Sequence, residues 1–117
     1  MLRDYRLYLQ DIAECCQNAA DYTDGMSFDE FSADRKTIDA VVRNLEIIGE
    51  AVKNVPLDIL QTKPEIEWQQ IARLRDLIIH HYFKVKLTVV WDIVQNRLPE
   101  LKMAVSEMLV EISKQEE

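Results

Sequence analysis

Apolar side chains recur along this chain at alternating steps of three and four, the spacing that aligns them on one side of an α-helix. Leu2, Tyr5, Leu9, Ile12, Cys16 and Ala19 form the first such stripe. It ends at Asp24-Gly25, where glycine can take a left-handed cap. Ser27 and Glu30 have the spacing of a capping box and predict a short turn of helix through Phe31. A second long helix turns Ile38, Val41, Val42, Leu45, Ile48, Gly49 and Val52 inward. Pro56 and Pro64 bracket a connection holding one helical turn around Leu57 to Leu60. A third helix starts between Glu65 and Trp68, with acids suited to its positive end, and runs to about Tyr82. Lys84-Val85-Lys86 reads as a connection and Leu87 to Arg97 as a fourth helix. Pro99 opens or kinks into a fifth, striped by Leu98, Leu101, Val105, Met108 and Ile112. The expectation is an all-α, up-and-down bundle of about five helices.

Composition agrees with that pattern. A chain of 117 residues is one domain, 1–117, long enough to bury a single core. Hydrophobic residues make up 48%, and two glycines and three prolines leave few breaks, which favours long helices. No apolar run reaches the roughly 18 residues a membrane span needs. Met1-Leu2-Arg3-Asp4-Tyr5-Arg6 lacks the apolar stretch of a secretory signal. Cys15 and Cys16 are adjacent, about 100° apart on a helix, so buried reduced thiols are expected rather than a disulfide. A cytoplasmic location without membrane attachment follows as the expectation.

The net charge of −7 argues against a protein that coats nucleic acid nonspecifically. Any RNA contact has to be local. Between Arg73 and Lys86 the balance reverses, with four cations (Arg73, Arg75, Lys84, Lys86) against the single acid Asp76, and both histidines lie there too. On charge alone, a solvated face with chance clustering explains this equally well.

The third helix breaks its own pattern. With Trp68 as origin and about 100° per residue, Ile79 falls at about 20°, Tyr82 at about 320° and Arg75 at about 340°. Arg75 is thus expected in the middle of an apolar face, where arginine needs a partner or a purpose. On the same wheel Asp76 lies at about 80°, His80 at about 120° and Arg73 at about 140°. An ideal helix therefore separates His80 from Arg75 by about 140°. A shared site requires the helix to loosen near its end, or a second copy to supply one of the two. Taken singly, each residue has an ordinary reading. His81 can cap helix carbonyls, Tyr82 can be a packed ring with a wet hydroxyl, and Arg75 can pair with Glu46 or Glu50.

The string Arg75-Asp76-Leu77-Ile78-Ile79-His80-His81-Tyr82 resembles the motif of the HEPN ribonuclease superfamily: arginine, a polar residue, three variable positions, then histidine. The tyrosine two places later resembles the signature of its HepT-like branch. The likeness extends through Ile38–Ala51, which is similar to the family's second helix, and through Trp68–Ala72, Val90-Trp91 and Leu98-Pro99-Glu100-Leu101.

The resemblance implies a HEPN-like bundle and a metal-independent RNA endonuclease without a cofactor, the toxin of a type VII-like toxin–antitoxin module. Its partner would be an MntA-type nucleotidyltransferase antitoxin that silences it by AMPylation of Tyr82. Arg75 and His80 would be catalytic. Asp76 fills a slot where asparagine is common, and His81 stands where relatives often have aspartate, leaving open which histidine moves the proton. Arg73 falls within the looser motif spacing, but Asp76 directly follows Arg75, which makes Arg75 the preferred arginine.

The residue types suit the chemistry. RNA carries its own nucleophile, the 2′-hydroxyl, so the protein need only move protons and stabilise charge. Imidazole can act as general acid or base near neutral pH, and a guanidinium forks onto phosphate oxygens. One arginine and one histidine make a thin site, and a two-fold homodimer juxtaposing both motifs would double it. Asp39, Arg43, Glu46 and Glu50 share one face of the second helix, with Arg43 and Glu50 as candidates for a supporting role; an ordinary ion-paired face is the alternative. A non-catalytic, substrate-binding or partner subunit of a small nucleotidyltransferase remains open as a second class. A bundle metalloprotein does not, because the Glu-x-x-His pattern is missing. Nor does the chain carry a phosphate-binding glycine loop. On the third helix Tyr82 lies seven residues after Arg75, on the same side and about 10 Å along it, so an adenylate there would crowd the cationic site.

Overall fold

Local capping sets most helix boundaries. The computed structural model describes residues 3–81 and 86–116. The Asp4 carboxylate accepts the Arg6 N–H at 2.9 Å and opens α1, Tyr5–Thr23. Gly25, at φ 74°, turns the chain beyond it in the left-handed region that glycine enters without strain. Ser27 accepts the Glu30 N–H at 3.1 Å while Glu30 accepts the Ser27 N–H at 3.0 Å, the reciprocal box expected for α2, Phe28–Ser32. Asp34 caps α3, Arg35–Lys53, by accepting the Thr37 N–H at 3.1 Å. The single turn α4, Leu57–Leu60, follows Pro56, and α5 spans Trp68–His81.

The C-terminal part departs from two separate helices. α6, Leu87–Asp92, runs through a π-helical turn, Ile93–Arg97, directly into α7, Leu98–Gln115. The Leu98 N–H donates to the Ile93 carbonyl five residues back. Pro99 is the cause: it has no N–H, and in a tight α-turn its ring meets the carbonyl four residues earlier. Widening the turn relieves that clash without ending the rod.

Four long rods result, all helical among the described residues. α3 lies in the middle, with α1 on one flank and α5 on the other, and α7 packs against α1. Leu9 and Ile12 of α1, Val41, Leu45 and Ile48 of α3, and Leu101, Val105 and Met108 of α7 are sealed from water. Burial of this kind contributes about 1.5–3 kcal/mol per large aliphatic side chain. Phe31 and Phe28 of α2 pack on Trp91 of α6, with ring centroids 5.1 and 6.1 Å apart, which closes the open end. Lys63, just before α5, donates to Glu107 of α7 at 2.6 Å and ties that connection to the C-terminal rod. Cys15 and Cys16 are buried free thiols, as expected, and burial pushes them up to about 11 and about 12. Among the described residues no helix is long and apolar enough to cross a membrane.

Candidate functional site

Gly49 decides how closely α3 and α5 meet. A Cβ there would lie 2.8 Å from the Arg75 backbone nitrogen and 3.1 Å from the Ile71 carbonyl oxygen. Both are backbone atoms that cannot swing aside, so the crossing requires glycine. Arg75 consequently leaves α5 right beside α3. There Glu50, the residue after Gly49, takes its guanidinium, with Nε 3.1 Å from Oε2.

This corrects the expectation that Arg75 sits in the middle of an apolar face. Its side chain is 41% exposed. The buried face of α5 is centred on Ile78, 2% exposed, while Leu77 and Ile79 are 47% and 48% exposed. The physical reason is that α3 covers one side of α5, so apolar periodicity on this helix exceeds what the core can absorb. Arg75 lies at the boundary and finds the carboxylate of α3.

Asp76 lies at the next boundary position. It accepts from Lys53 Nζ at 2.9 Å and faces Arg75 NH1 at 3.4 Å. The Lys53 hydrogen bond, aided by the charges of Lys53, Arg75 and His80, holds the Asp76 carboxyl below the usual carboxylate range; partial desolvation opposes it. His80 follows one turn later and is exposed. Because α5 stays α-helical through His81, the helix does not loosen, and Arg75 and His80 project about 140° apart. A single chain does not bring them onto one face; Asp76 stands between them. Arg73 is exposed and shares the side of His80 to within about 20°. The side chain of His81, together with Tyr82 and Lys84, lies outside the described residues.

Arg43 is exposed and pairs with Glu46 at 3.2 Å. The stripe noted on α3 therefore does meet α5, through Glu50. Lys53, the anchor of Asp76, was missed in the sequence, although it continues the same stripe three residues after Glu50. Three residues near or on α1 were missed with less excuse to find them: Arg3, Tyr8 and Asp11 line a groove that ends at Arg75 and Ile79. Their sequence distance from α5 gave no signal. A second groove, between α5 and the α6–α7 rod, is walled by Leu74, Ile93 and Leu101 and rimmed by Glu65, Glu67 and Glu100, with Arg97 the one cation among them. Its acidic rim suits no phosphate. Among the described residues no three His, Cys, Asp or Glu side chains converge as a metal site would require.

Comparison with known proteins places this geometry. The family model for the HepT-like ribonucleases matches residues 12–108, which include all of α3 and α5. A protein of Methanocaldococcus jannaschii named as a candidate RNase is 44% identical over 115 residues, covering 98% of this chain and 95% of the relative. One from Thermococcus cleftensis, named as a probable ribonuclease HepT, is 46% identical over 102 residues, with 87% and 93% covered. A third, a candidate RNase of Caldanaerobacter subterraneus, is 39% identical over 104 residues, with 89% and 93% covered. No solved structure matches. The reach of the family match and the identity and coverage of these relatives show that the chain belongs to the HepT-like ribonuclease family.

Proposed function

We propose that this protein is a metal-independent endoribonuclease and the toxin of a two-gene toxin–antitoxin module. The observation that carries this reading is an edge helix bearing Arg75, Asp76 and His80 at the motif spacing, with the guanidinium and the imidazole both open to solvent. His80 takes the proton of an RNA 2′-hydroxyl, and that oxygen attacks the adjacent phosphorus. The bond from phosphorus to the 5′-oxygen breaks, the leaving oxygen collects a proton from an imidazolium, and a 2′,3′-cyclic phosphate remains. Arg75 neutralises the extra charge on the phosphoryl oxygens. Asp76, held by Lys53 at 2.9 Å, sits one turn before His80; Glu50 steers Arg75.

Two copies make this site complete. Since Arg75 and His80 of one regular helix face about 140° apart, a homodimer with the α5 helices near its two-fold axis supplies an arginine from one copy against a histidine from the other. Ile79, exposed beside Arg75, and Leu77, exposed on the His80 side, are the apolar residues at the two edges of such an interface. His81 is the alternative proton carrier on the same turn.

Silencing would act on Tyr82. An MntA-type nucleotidyltransferase would transfer AMP from ATP to the phenolic oxygen, with release of pyrophosphate. A phenol has a pKa near 10, so the partner has to supply the base. The test begins with purified full-length protein and a labelled RNA. His80→Ala and Arg75→Ala should each lower cleavage by about 100-fold or more, whereas Arg73→Ala should not. EDTA should leave the rate unchanged. Cleavage that survives His80→Ala, or stops with EDTA, overturns the mechanism. For the switch, mass spectrometry after incubation with the partner enzyme and ATP should place AMP on the Tyr82 peptide, and Tyr82→Phe should stay active; an adduct elsewhere overturns that part.

A further inference from the structure

The groove between α1, α3 and α5 carries three arginines, each paired with a carboxylate that also lines it. Arg3 pairs with Asp11 at 2.6 Å, Arg43 with Glu46 at 3.2 Å and Arg75 with Glu50 at 3.1 Å. The Arg3 guanidinium also lies over the Tyr8 ring, 4.8 Å from its centroid. In a molecule of net charge −7, this groove is locally neutral, and its cations are not buried: Arg3 and Arg75 are each 41% exposed and Arg43 is 70% exposed. Exposed pairs of this kind hold by about 1 kcal/mol or less, so each is readily exchanged for another anion. Guanidinium forks take phosphate oxygens as well as carboxylates.

We propose that this groove is a path for single-stranded RNA leading to Arg75, with Arg3 and Tyr8 as a stacking platform, Arg43 as an intermediate phosphate contact, and Asp11 and Glu46 as built-in counterions that RNA phosphates displace. The proposal rests on the ribonuclease reading and names how that site holds its substrate. The Arg3 guanidinium covers the face of the half-buried Tyr8 ring, and the outer plane of that layered pair is where an unpaired base stacks, as bases do on guanidinium and aromatic planes. Duplex RNA keeps its bases stacked and cannot use Tyr8. The counterions also explain how an acidic protein binds RNA at all: the carboxylates hold the charged arginines in place and yield them to phosphates one by one. Because each exchange frees a carboxylate that stays on the protein, affinity should be modest, and its salt dependence comes from the cations that the RNA phosphates release.

The experiment is fluorescence anisotropy of the full chain with a labelled, unstructured RNA whose 2′-oxygens are methylated, which removes the nucleophile and isolates binding. Affinity is measured across a KCl series. Arg3→Ala and Arg43→Ala should each weaken binding and make the slope of log affinity against log salt shallower by about 0.7, the single-strand value per lost phosphate contact. Tyr8→Leu should weaken binding by about fivefold or more without changing that slope. Asp11→Asn should tighten binding, because it removes the competing carboxylate while leaving Arg3 in place. Arg97→Ala, on the other groove, should change nothing. Circular dichroism establishes that each variant is folded, and the Arg3 and Asp11 variants stand independently should Tyr8→Leu fail to fold.

Unchanged affinity and slope in Arg3→Ala and Arg43→Ala overturn the path, as does wild-type protein that does not bind. Weaker binding in Asp11→Asn makes the pair structural and also overturns it. If Arg43→Ala shifts the sedimentation coefficient but not RNA affinity, the groove is a protein contact instead. Wild-type protein that binds this RNA through the groove but never cleaves the unmodified strand refutes the nuclease reading alone, whereas cleavage indifferent to all three substitutions refutes the path alone.

Discussion

α3 packs on α1 with one face and on α5 with another, and the two contacts are built differently. Toward α1 its Val41, Leu45 and Ile48 share a core with Leu9 and Ile12, all sealed from water. Toward α5 the backbones touch at Gly49, and around that point the contact is ionic, through Glu50–Arg75 and Lys53–Asp76. On α5 Ile78 alone of the described side chains is buried. The first contact is a core that determines stability. The second joins charged groups at the surface with little apolar burial, through exposed pairs that another anion can exchange.

The sharpest way to break that distinction is to damage each side in turn. Leu45→Ala, in the sealed core, should lower stability by about 2–5 kcal/mol, read as a fall in urea midpoint. Arg75→Ala should remove cleavage while moving stability by no more than about 1 kcal/mol, since its pair is exposed. If Arg75→Ala unfolds the chain, the pair is structural and the separation fails.

Gly49→Ala tests the crossing itself. The usual helix gain from alanine is about 0.5–1 kcal/mol. Here the new Cβ meets the Arg75 nitrogen at 2.8 Å, so a net loss of about 1–3 kcal/mol is expected, with cleavage reduced because Arg75 is pushed outward. A stabilised, fully active variant would show that α5 shifts freely on α3. Ile79→Glu comes next. Its side chain is 48% exposed, so monomer stability should change by about 0.5 kcal/mol or less, yet sedimentation should show loss of the proposed dimer and cleavage should fall with it. Dimerisation that survives moves the interface elsewhere.

The smallest effect concerns acid. Asp76 is held below its ordinary range by Lys53. A depressed folded pKa contributes stability that is complete above the unfolded value and fades as pH falls through the folded one. Lys53→Met should therefore raise the Asp76 pKa, seen by carbon NMR titration, and flatten the acid side of the melting-temperature profile. An unmoved titration would assign the depression to Arg75 instead.

Much of this was readable in the chain because its causes are local. Stripes of apolar residues at helical spacing gave α1, α3 and α7, and the caps at Ser27 and Gly25 formed as their residue types require. The arginine-to-histidine spacing marked a candidate site only through its family resemblance, since on a helix it sets the two about 140° apart. Periodicity misled at Arg75, placing it amid apolar neighbours, because a wheel knows the direction of a side chain but not which directions another helix covers. Pro99 signalled a disturbance, but not that a π turn would absorb it and keep one rod.

What tertiary structure alone decided are the partners. That Glu50 takes Arg75, that Lys53 takes Asp76, and that Arg3 and Tyr8 reach the groove ending at Arg75 all depend on how three rods are stacked. These pairs span long stretches of sequence, and exposed ion pairs are too weak to leave a pattern in it. The sequence by itself determined the helices and the residues that carry charge on them. Which charges meet was settled by how α3 and α5 cross, and Gly49 permits the close backbone approach at that crossing because it has no side chain.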